Sequence, residues 1–125
     1  MDNGNPNAIH PVFVYGTLMR FQRANHMLET GIYMVEAVLP DYAMYHLGRY
    51  PGIKPCSGEQ VIGELYRVDD ATLRQMDEYE ENGSLYHRTP VRVVVNGSEF
   101  DAEAYVYARD VADKPLLRRR WGSDL

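Results

Sequence analysis

The chain has 125 residues, of which 45% are hydrophobic and 25% charged, an ordinary composition for one globular domain with a real core. The net charge of −5 argues against nucleic acid or an anionic membrane as the main partner, and no stretch approaches the ~18 apolar residues of a membrane helix. Cys56 is the single cysteine, so an internal disulfide is excluded and a reducing, cytoplasmic location is expected.

The first predicted elements are a tail, a strand and a short helix. Residues 1–10 are rich in Asn, Gly and Pro, lack the features of a signal peptide, and predict a flexible tail. Residues 12–15 predict a strand that stops at Gly16-Thr17, and residues 19–28 predict a helix. A strand followed by Gly and a hydroxyl residue directs backbone N–H groups toward one point, where an anion or an oxyanion can bind. The same turn is also common as an ordinary connection.

The middle of the chain predicts strands. Residues 32–47 are rich in apolar and aromatic side chains and are broken at Pro40-Asp41, which indicates either a strand pair or one bent strand. Residues 48–58 have the composition of a loop. Residues 59–68 alternate between two faces and predict another strand.

A short helix with an unusual acid follows. Asp69 is a good N-cap, and residues 71–79 contain neither Gly nor Pro. Leu73 and Met76 define the apolar stripe, and Glu80 lies seven residues after the first and four after the second. Helical spacing therefore places this carboxylate on the inward face, where burial raises its pKa unless it is paired.

The alternative is that the helix ends before Glu80 and that its side chain turns out to water. Asn82-Gly83 follows at once and is a strong stop signal. Helix geometry alone favours this alternative.

The remaining elements complete a small α+β domain. Residues 85–95 and 102–107 alternate as strands, and Asn96-Gly97 between them is a hairpin signal. Residues 113–125 predict an irregular extension, in which Arg118–Arg120 is expected to be a solvated run without an assigned role. Five or six strands with two short helices predict a mostly antiparallel sheet, curled toward a barrel, over residues 11–112. The mouth of such a sheet suits a small ligand.

Several chemistries lack sequence support. The Cys56 neighbours Pro55 and Ser57 supply neither a base nor a positive charge, so a reactive thiol is not expected. No phosphate-binding, dinucleotide or serine-hydrolase motif is present. The histidines are scattered without the spacing of a metal site, so no metal is expected; they are His10, His26, His46 and His87. An inward carboxylate and a loop of backbone amides remain.

Together these pieces resemble the gamma-glutamylcyclotransferase-like superfamily. Residues 12–18 (Val-Phe-Val-Tyr-Gly-Thr-Leu) are similar to its Tyr-Gly-(Ser/Thr)-Leu loop. Residues 50–53 (Tyr-Pro-Gly-Ile) and 61–66 (Val-Ile-Gly-Glu-Leu-Tyr) resemble its second block. Residues 76–80 (Met-Asp-Glu-Tyr-Glu) and 86–91 (Tyr-His-Arg-Thr-Pro-Val) resemble the third. The three blocks occur in the same order as in the family, from about residue 12 to residue 107. They most resemble the gamma-glutamylamine cyclotransferase branch and its bacterial relatives.

The resemblance implies a small mixed β-barrel flanked by short helices, and an enzyme that cyclises a gamma-glutamyl group to 5-oxoproline without a cofactor. It implies that Glu80, the last acid of the Asp-x-x-Glu pattern, is the general acid/base. The residues implied at the substrate are Tyr15, Gly16, Thr17, Leu18, Tyr86 and Tyr107. For Tyr86 and Tyr107 the alternative is packing in the core, and for Arg88, which belongs to the same block, it is a surface ion pair.

Three questions stay open at this point. One is the leaving amine, which includes the possibility that the enzyme removes a gamma-glutamyl protecting group from a biosynthetic intermediate. Another is whether the Gly16–Leu18 amides bind a carboxylate or the oxyanion. The alternative to an enzyme is a small-molecule binding or regulatory module of the same fold. The oligomeric state is not predicted.

Overall fold

The computed structural model describes residues 9–19, 25–28, 32–117 and 121. In chain order the elements are β1 (Ile9–Val14), a 3₁₀ turn (Asn25–Leu28), β2 (Ile32–His46), β3 (Pro51–Asp69), α1 (Asp70–Tyr79), β4 (Tyr86–Val95), β5 (Ser98–Tyr107) and β6 (Leu116–Leu117). Most of the predicted tail, the centre of the predicted first helix at residues 20–24, and Arg118–Arg120 lie outside the described residues.

The strands close into a ring. The order is β3-β1-β5-β4-β2-β6, and β2 also pairs with β3, which joins the two ends of the first five strands. The β1–β5 pairing is parallel and the others are antiparallel. This confirms the α+β class with a mixed, mostly antiparallel sheet curled into a barrel-like ring. Its interior is filled by side chains such as Val12, Phe13, Ile53 and Val93, each fully buried.

The longest feature is the antiparallel ribbon of β2 and β3. The break predicted at Pro40-Asp41 is a bend in one long strand, because the register shifts there between Pro40 and Tyr42. Asp41 has φ 63°, Gly58 opposite it has φ 86°, and the Gly58 N–H donates to Asp41 Oδ1 at 3.1 Å. Both residues adopt the left-handed conformation that Gly and Asp tolerate best.

The loop predicted over residues 48–58 is largely wrong. Pro51 already pairs with His46, so only residues 47–50 connect the strands. Tyr42 pairs with Pro55 and Pro40 with Gln60, which leaves residues 56–59 opposite the single residue Asp41. The Gly- and Ser-containing composition therefore belongs to a bulge within the strand, and composition alone does not separate a bulge from a loop.

The helix α1 begins and packs as predicted. The Asp69 side chain accepts from the Thr72 N–H at 2.9 Å, which satisfies one of the free N–H groups of the first turn. Thr72, Leu73 and Met76 are buried against the sheet. No helix in the described part of the chain is long and apolar enough to cross a membrane.

Strand pairing extends into the described parts of the predicted tail and of the predicted extension. β1 begins at Ile9, inside the predicted tail, because residues 9 and 10 pair with the end of β3. In the predicted irregular extension, β6 pairs with β2. Trp121 is buried, with its ring centroid 5.5 Å from that of His46. Burial of a large aromatic ring anchors this extension to the domain.

Candidate active site

A cavity of about 340 Å³ opens where the loop after β1 meets the C-terminal end of α1. The start of β3 and the facing strands β4 and β5 complete its wall. Its volume lies in the range of sites for small molecules. The charged side chains in the wall are Arg49, Glu80 and Glu81.

The end of α1 determines where Glu80 points. The Glu81 N–H donates to the Glu78 carbonyl at 3.1 Å, and the Asn82 N–H donates to the Asp77 carbonyl at 2.9 Å. This pair of bonds is a Schellman motif, with Glu81 in the left-handed region at φ 51°. The helix therefore ends at Tyr79, as the stop signal indicates, but the Glu80 side chain lines the cavity instead of turning out to water.

Burial changes the acidity of Glu80. The residue is only partly exposed, and burial raises the pKa of its carboxyl from 4.5 to about 7. This is the direction expected for a carboxylate on an inward face. A group with this pKa takes up and releases protons near neutral pH, which suits a general acid/base.

The loop after β1 is a tight turn that lines the same cavity as this acid. The Met19 N–H donates to the Gly16 carbonyl at 3.0 Å, so Thr17 and Leu18 are the central residues of the turn, and their N–H groups take no part in that bond. A Cβ at Gly16 would lie 2.8 Å from Cγ of Pro51, so only glycine allows this close approach. The Thr17 Oγ1 lies 2.6 Å from the Tyr79 hydroxyl, which ties the turn to the end of α1.

Three buried tyrosines contribute to the wall and bond to other elements of the domain. The Tyr15 hydroxyl donates to the Tyr105 carbonyl at 2.7 Å, and the Tyr86 hydroxyl donates to the Pro51 carbonyl at 2.7 Å. The Tyr105 hydroxyl donates to Asp77 Oδ1 at 2.7 Å. These bonds cross between the loop, β3, β5 and α1, so they fix the wall around the cavity.

The pKa values of these three tyrosines show the effect of burial and of the Glu80 charge. Burial, above all, raises the pKa of Tyr15, Tyr86 and Tyr105 well above the ordinary value, and the Glu80 charge adds to the rise in each. All three hydroxyls therefore stay protonated at neutral pH and lie within electrostatic range of the Glu80 carboxyl.

The structure brings together most of the residues implied by the sequence. Glu80 shares the cavity with Tyr15, Gly16, Thr17, Leu18 and Tyr86. Tyr107 does not belong to the wall; its ring packs edge-on against Tyr86, with centroids 5.5 Å apart.

Arg88 forms ion pairs and also lies outside the wall. Its Nε lies 3.0 Å from Asp77 Oδ1, and its Nη1 lies 2.9 Å from Glu103 Oε1. This is the ion-pair alternative that the sequence left open, although the pair is partly buried.

Tyr105 is a buried polar wall residue that sequence reasoning missed, and Arg49, Tyr79 and Glu81 also line the cavity without having been named as site residues. The alternation in β5 places Tyr105 and Tyr107 on the same face, so the pattern carried the signal for both. Of the two, Tyr105 lines the cavity and Tyr107 packs against Tyr86. Within the described ranges, no cluster of three or more His, Cys, Asp or Glu side chains is arranged to hold a metal ion.

Comparison with known proteins assigns the chain to a family. The profile of the family described as "Gamma-glutamyl cyclotransferase, AIG2-like" matches residues 12–123. The chain belongs to this gamma-glutamyl cyclotransferase family. The profile spans both the turn after β1 and the end of α1.

Among the cyclotransferase relatives, a gamma-glutamylcyclotransferase family protein, YtfP, of Citrobacter rodentium is 35% identical over 106 residues, which cover 85% of this chain and 89% of the relative. Gamma-glutamylaminecyclotransferase A of Danio rerio is 33% identical over 119 residues, which cover 86% and 74% of the two chains. The names of these relatives support a gamma-glutamylcyclotransferase-like function at the level of the family.

Solved structures of similar proteins share the cyclotransferase fold. A crystal structure of an AIG2-like protein from Mus musculus has a TM-score of 0.80 and 26% identity, and the match covers 90% of this chain and 88% of the mouse chain. The solution structure of YtfP from Escherichia coli has a TM-score of 0.69 and 32% identity, with 91% and 96% covered.

Proposed function

We propose that the protein cyclises the gamma-glutamyl group of a small gamma-glutamyl amine or amino acid to 5-oxoproline and releases the amine, with Glu80 as general acid/base. One observation carries this proposal. The Glu80 carboxyl, with a pKa raised to about 7, lines the same cavity as the turn at Gly16, Thr17 and Leu18.

The reaction needs proton transfer and correct placement of the substrate. The α-amine attacks the side-chain carbonyl of its own gamma-glutamyl group, a C–N bond closes the five-membered lactam, and the amide C–N bond breaks. The attacking amine loses a proton and the leaving nitrogen gains one, so no cofactor takes part. Holding the chain folded contributes up to roughly 7–11 kcal/mol through effective molarity.

The raised pKa of Glu80 makes the first proton transfer easier. An α-ammonium has an ordinary pKa of about 8, and transfer to a carboxylate of pKa 4.5 is uphill by about 5 kcal/mol. With the carboxyl at about 7, the same transfer costs only about 1 to 2 kcal/mol. The protonated carboxyl is then an effective acid for the leaving nitrogen, so one side chain serves both steps.

The turn after β1 supplies the complementary donors. The N–H groups of Thr17 and Leu18 are free of the bond that closes the turn, and either the substrate α-carboxylate or the developing oxyanion fits such donors. Either assignment places the substrate between the turn and Glu80.

Incubation with gamma-glutamyl amines, gamma-glutamyl amino acids and gamma-glutamyl-lysine isopeptides, followed by detection of 5-oxoproline, tests the proposal. We expect product from at least one of these classes, and the best substrate identifies the leaving amine. If these ligands raise the melting temperature but none yields 5-oxoproline, the fold serves as a binding module and the enzymatic proposal fails.

A further inference from the structure

A buried acid on β3 lies outside the cavity wall. Residues 61–66 belong to the second block of the family resemblance, and none of these six residues, all of which the structure describes, lines the cavity. Glu64 in this block is 1% exposed and pairs with Val14, the last residue of β1. A carboxylate is costly to bury unless hydrogen bonds or opposite charges compensate for the lost water. The groups that Glu64 contacts therefore indicate what its burial achieves.

A chain of three hydrogen bonds runs from this acid to the turn after β1. The Tyr66 hydroxyl donates to Glu64 Oε1 at 3.5 Å and accepts from the Asn25 amide nitrogen at 3.1 Å. The same nitrogen donates to the Leu18 carbonyl at 2.8 Å. The carboxylate and the carbonyl at the two ends only accept, and the amide and the hydroxyl between them supply one proton for each bond. We define Asn25, Tyr66 and Glu64 as the support network.

The bond from Asn25 holds the peptide unit that closes the turn. The Leu18 carbonyl and the Met19 N–H belong to one planar peptide unit. Its carbonyl accepts from Asn25, and its N–H donates to the Gly16 carbonyl at 3.0 Å. Rotation of this unit would break both bonds. The turn is therefore held in one backbone conformation, which also sets the direction of the Thr17 and Leu18 N–H groups.

We propose that Asn25 is a positioning residue for the turn after β1, and that Tyr66 and Glu64 hold its amide in the required orientation. If the amide reversed, Asn25 Oδ1 would face the Leu18 carbonyl, and two acceptors would repel each other. The bond to Tyr66 opposes this reversal because it uses the second proton of the amide nitrogen. The support network lies outside the cavity wall, so it acts on a ligand only through the turn. Resting on the proposed function, it aligns the N–H groups that receive the substrate α-carboxylate or the oxyanion.

Hydrogen exchange and kinetics of Asn25→Ala, in the full chain, test this assignment. NMR measures exchange of the Met19 amide relative to the amides of β3 and β4, which report global unfolding. We expect Met19 to exchange at least about threefold faster on this relative scale, the effect of losing one hydrogen bond that holds the turn. On the best substrate at pH 8, well below the melting temperature, we expect kcat/KM to fall about 10-fold or more through misplacement of the donors. A rise in KM alone indicates that the turn binds the substrate carboxylate, whereas a fall in kcat indicates the oxyanion.

Tyr66→Phe is the milder variant, because it removes only the hydroxyl and keeps the buried ring. We expect both readouts to change in the same direction and by less, and this variant decides the test if Asn25→Ala does not fold. Tyr45→Phe is the matched control, since Tyr45 is a partly exposed tyrosine of β2 outside the wall and the support network. Both readouts should be unchanged in the control.

Two results overturn the assignment: a wild-type exchange ratio at Met19, or faster exchange at Met19 with unchanged kcat/KM. The first would show that Asn25 does not hold the turn, and the second that its hold does not matter to the reaction. If wild type forms no 5-oxoproline from any substrate but Met19 exchange responds as expected, the positioning of the turn is upheld and the proposed function fails.

Discussion

Replacing Glu80 with glutamine should make the protein more stable at alkaline pH. The carboxyl has a pKa of 4.5 when unfolded and about 7 in the folded chain, so the folded state binds its proton more tightly. The stability contributed by this carboxyl is fully present below pH 4.5 and is lost as the pH rises through 7. Above pH 7 the wild-type protein carries a charge that the folded state disfavours, and Glu80→Gln does not.

The size of this effect follows from the two pKa values. Their difference of about 2.5 corresponds to about 3 kcal/mol, and the partial exposure of Glu80 reduces the expected gain to about 1–3 kcal/mol. For a chain of 125 residues, 1 kcal/mol shifts the melting temperature by about 4 °C. The variant should therefore melt roughly 4–12 °C higher at pH 8 and near the wild-type temperature at pH 4.

Thermal unfolding of both proteins between pH 4 and pH 8, followed by circular dichroism, measures this difference. The matched control is Glu78→Gln on the exposed face of α1, which should melt within about 2 °C of wild type at every pH. A Glu80→Gln difference that does not grow with pH would refute the claim that burial perturbs this carboxyl.

Three further predictions concern the chemistry, the turn and the helix. For the wild-type enzyme, kcat/KM should fall about tenfold per pH unit below pH 7, because the base must be ionised; a profile that is flat between pH 5 and pH 7 would exclude Glu80 as the base. Gly16→Ala should raise KM and cost about 1–3 kcal/mol in urea unfolding, because its Cβ would meet Pro51 at 2.8 Å; wild-type KM would contradict the close approach. Asp69→Ala should lower the urea midpoint of unfolding through loss of the bond to Thr72, with kcat unchanged; unaltered unfolding would show that the cap contributes nothing.

The sequence correctly predicted the caps and turns that are determined by neighbouring residues. Asp69 caps α1 as expected, and Asn96-Gly97 forms the two-residue hairpin turn, with φ values of 50° and 81°. A two-residue turn with both φ values positive is the type that Asn-Gly favours. In these cases the residues that determine the structure are neighbours in the sequence.

Features that depend on residues distant in the sequence were predicted less accurately. The bulge at residues 56–59 has the composition of a loop and is recognised only from its pairing with Asp41. Trp121 gave no signal that it would be buried, because its partner His46 lies on a strand far back in the chain. Tyr105 and Tyr107 share one face of β5, yet Tyr105 lines the cavity whereas Tyr107 packs against Tyr86 outside the wall.

The stop signal at Asn82-Gly83 correctly predicted the end of α1, but it wrongly suggested that the Glu80 side chain would turn out to water. Asn82-Gly83 does end α1, but the Schellman bonds and the left-handed Glu81 turn the chain so that Glu80 faces the cavity. Sequence spacing placed the carboxylate inward for a helix that continues, whereas the structure reaches the same placement through the cap. The left-handed conformation costs about 1 kcal/mol for a residue other than glycine, which the surrounding bonds must offset.

The rate of 5-oxoproline release by Glu80→Gln, compared with wild type on the best substrate at pH 8, tests the central claim most directly. We predict a fall in kcat of about 10² to 10⁴, the range for a lost general acid/base, in a variant that remains folded. Turnover at the wild-type rate would contradict the assignment of Glu80 as the group that moves the proton.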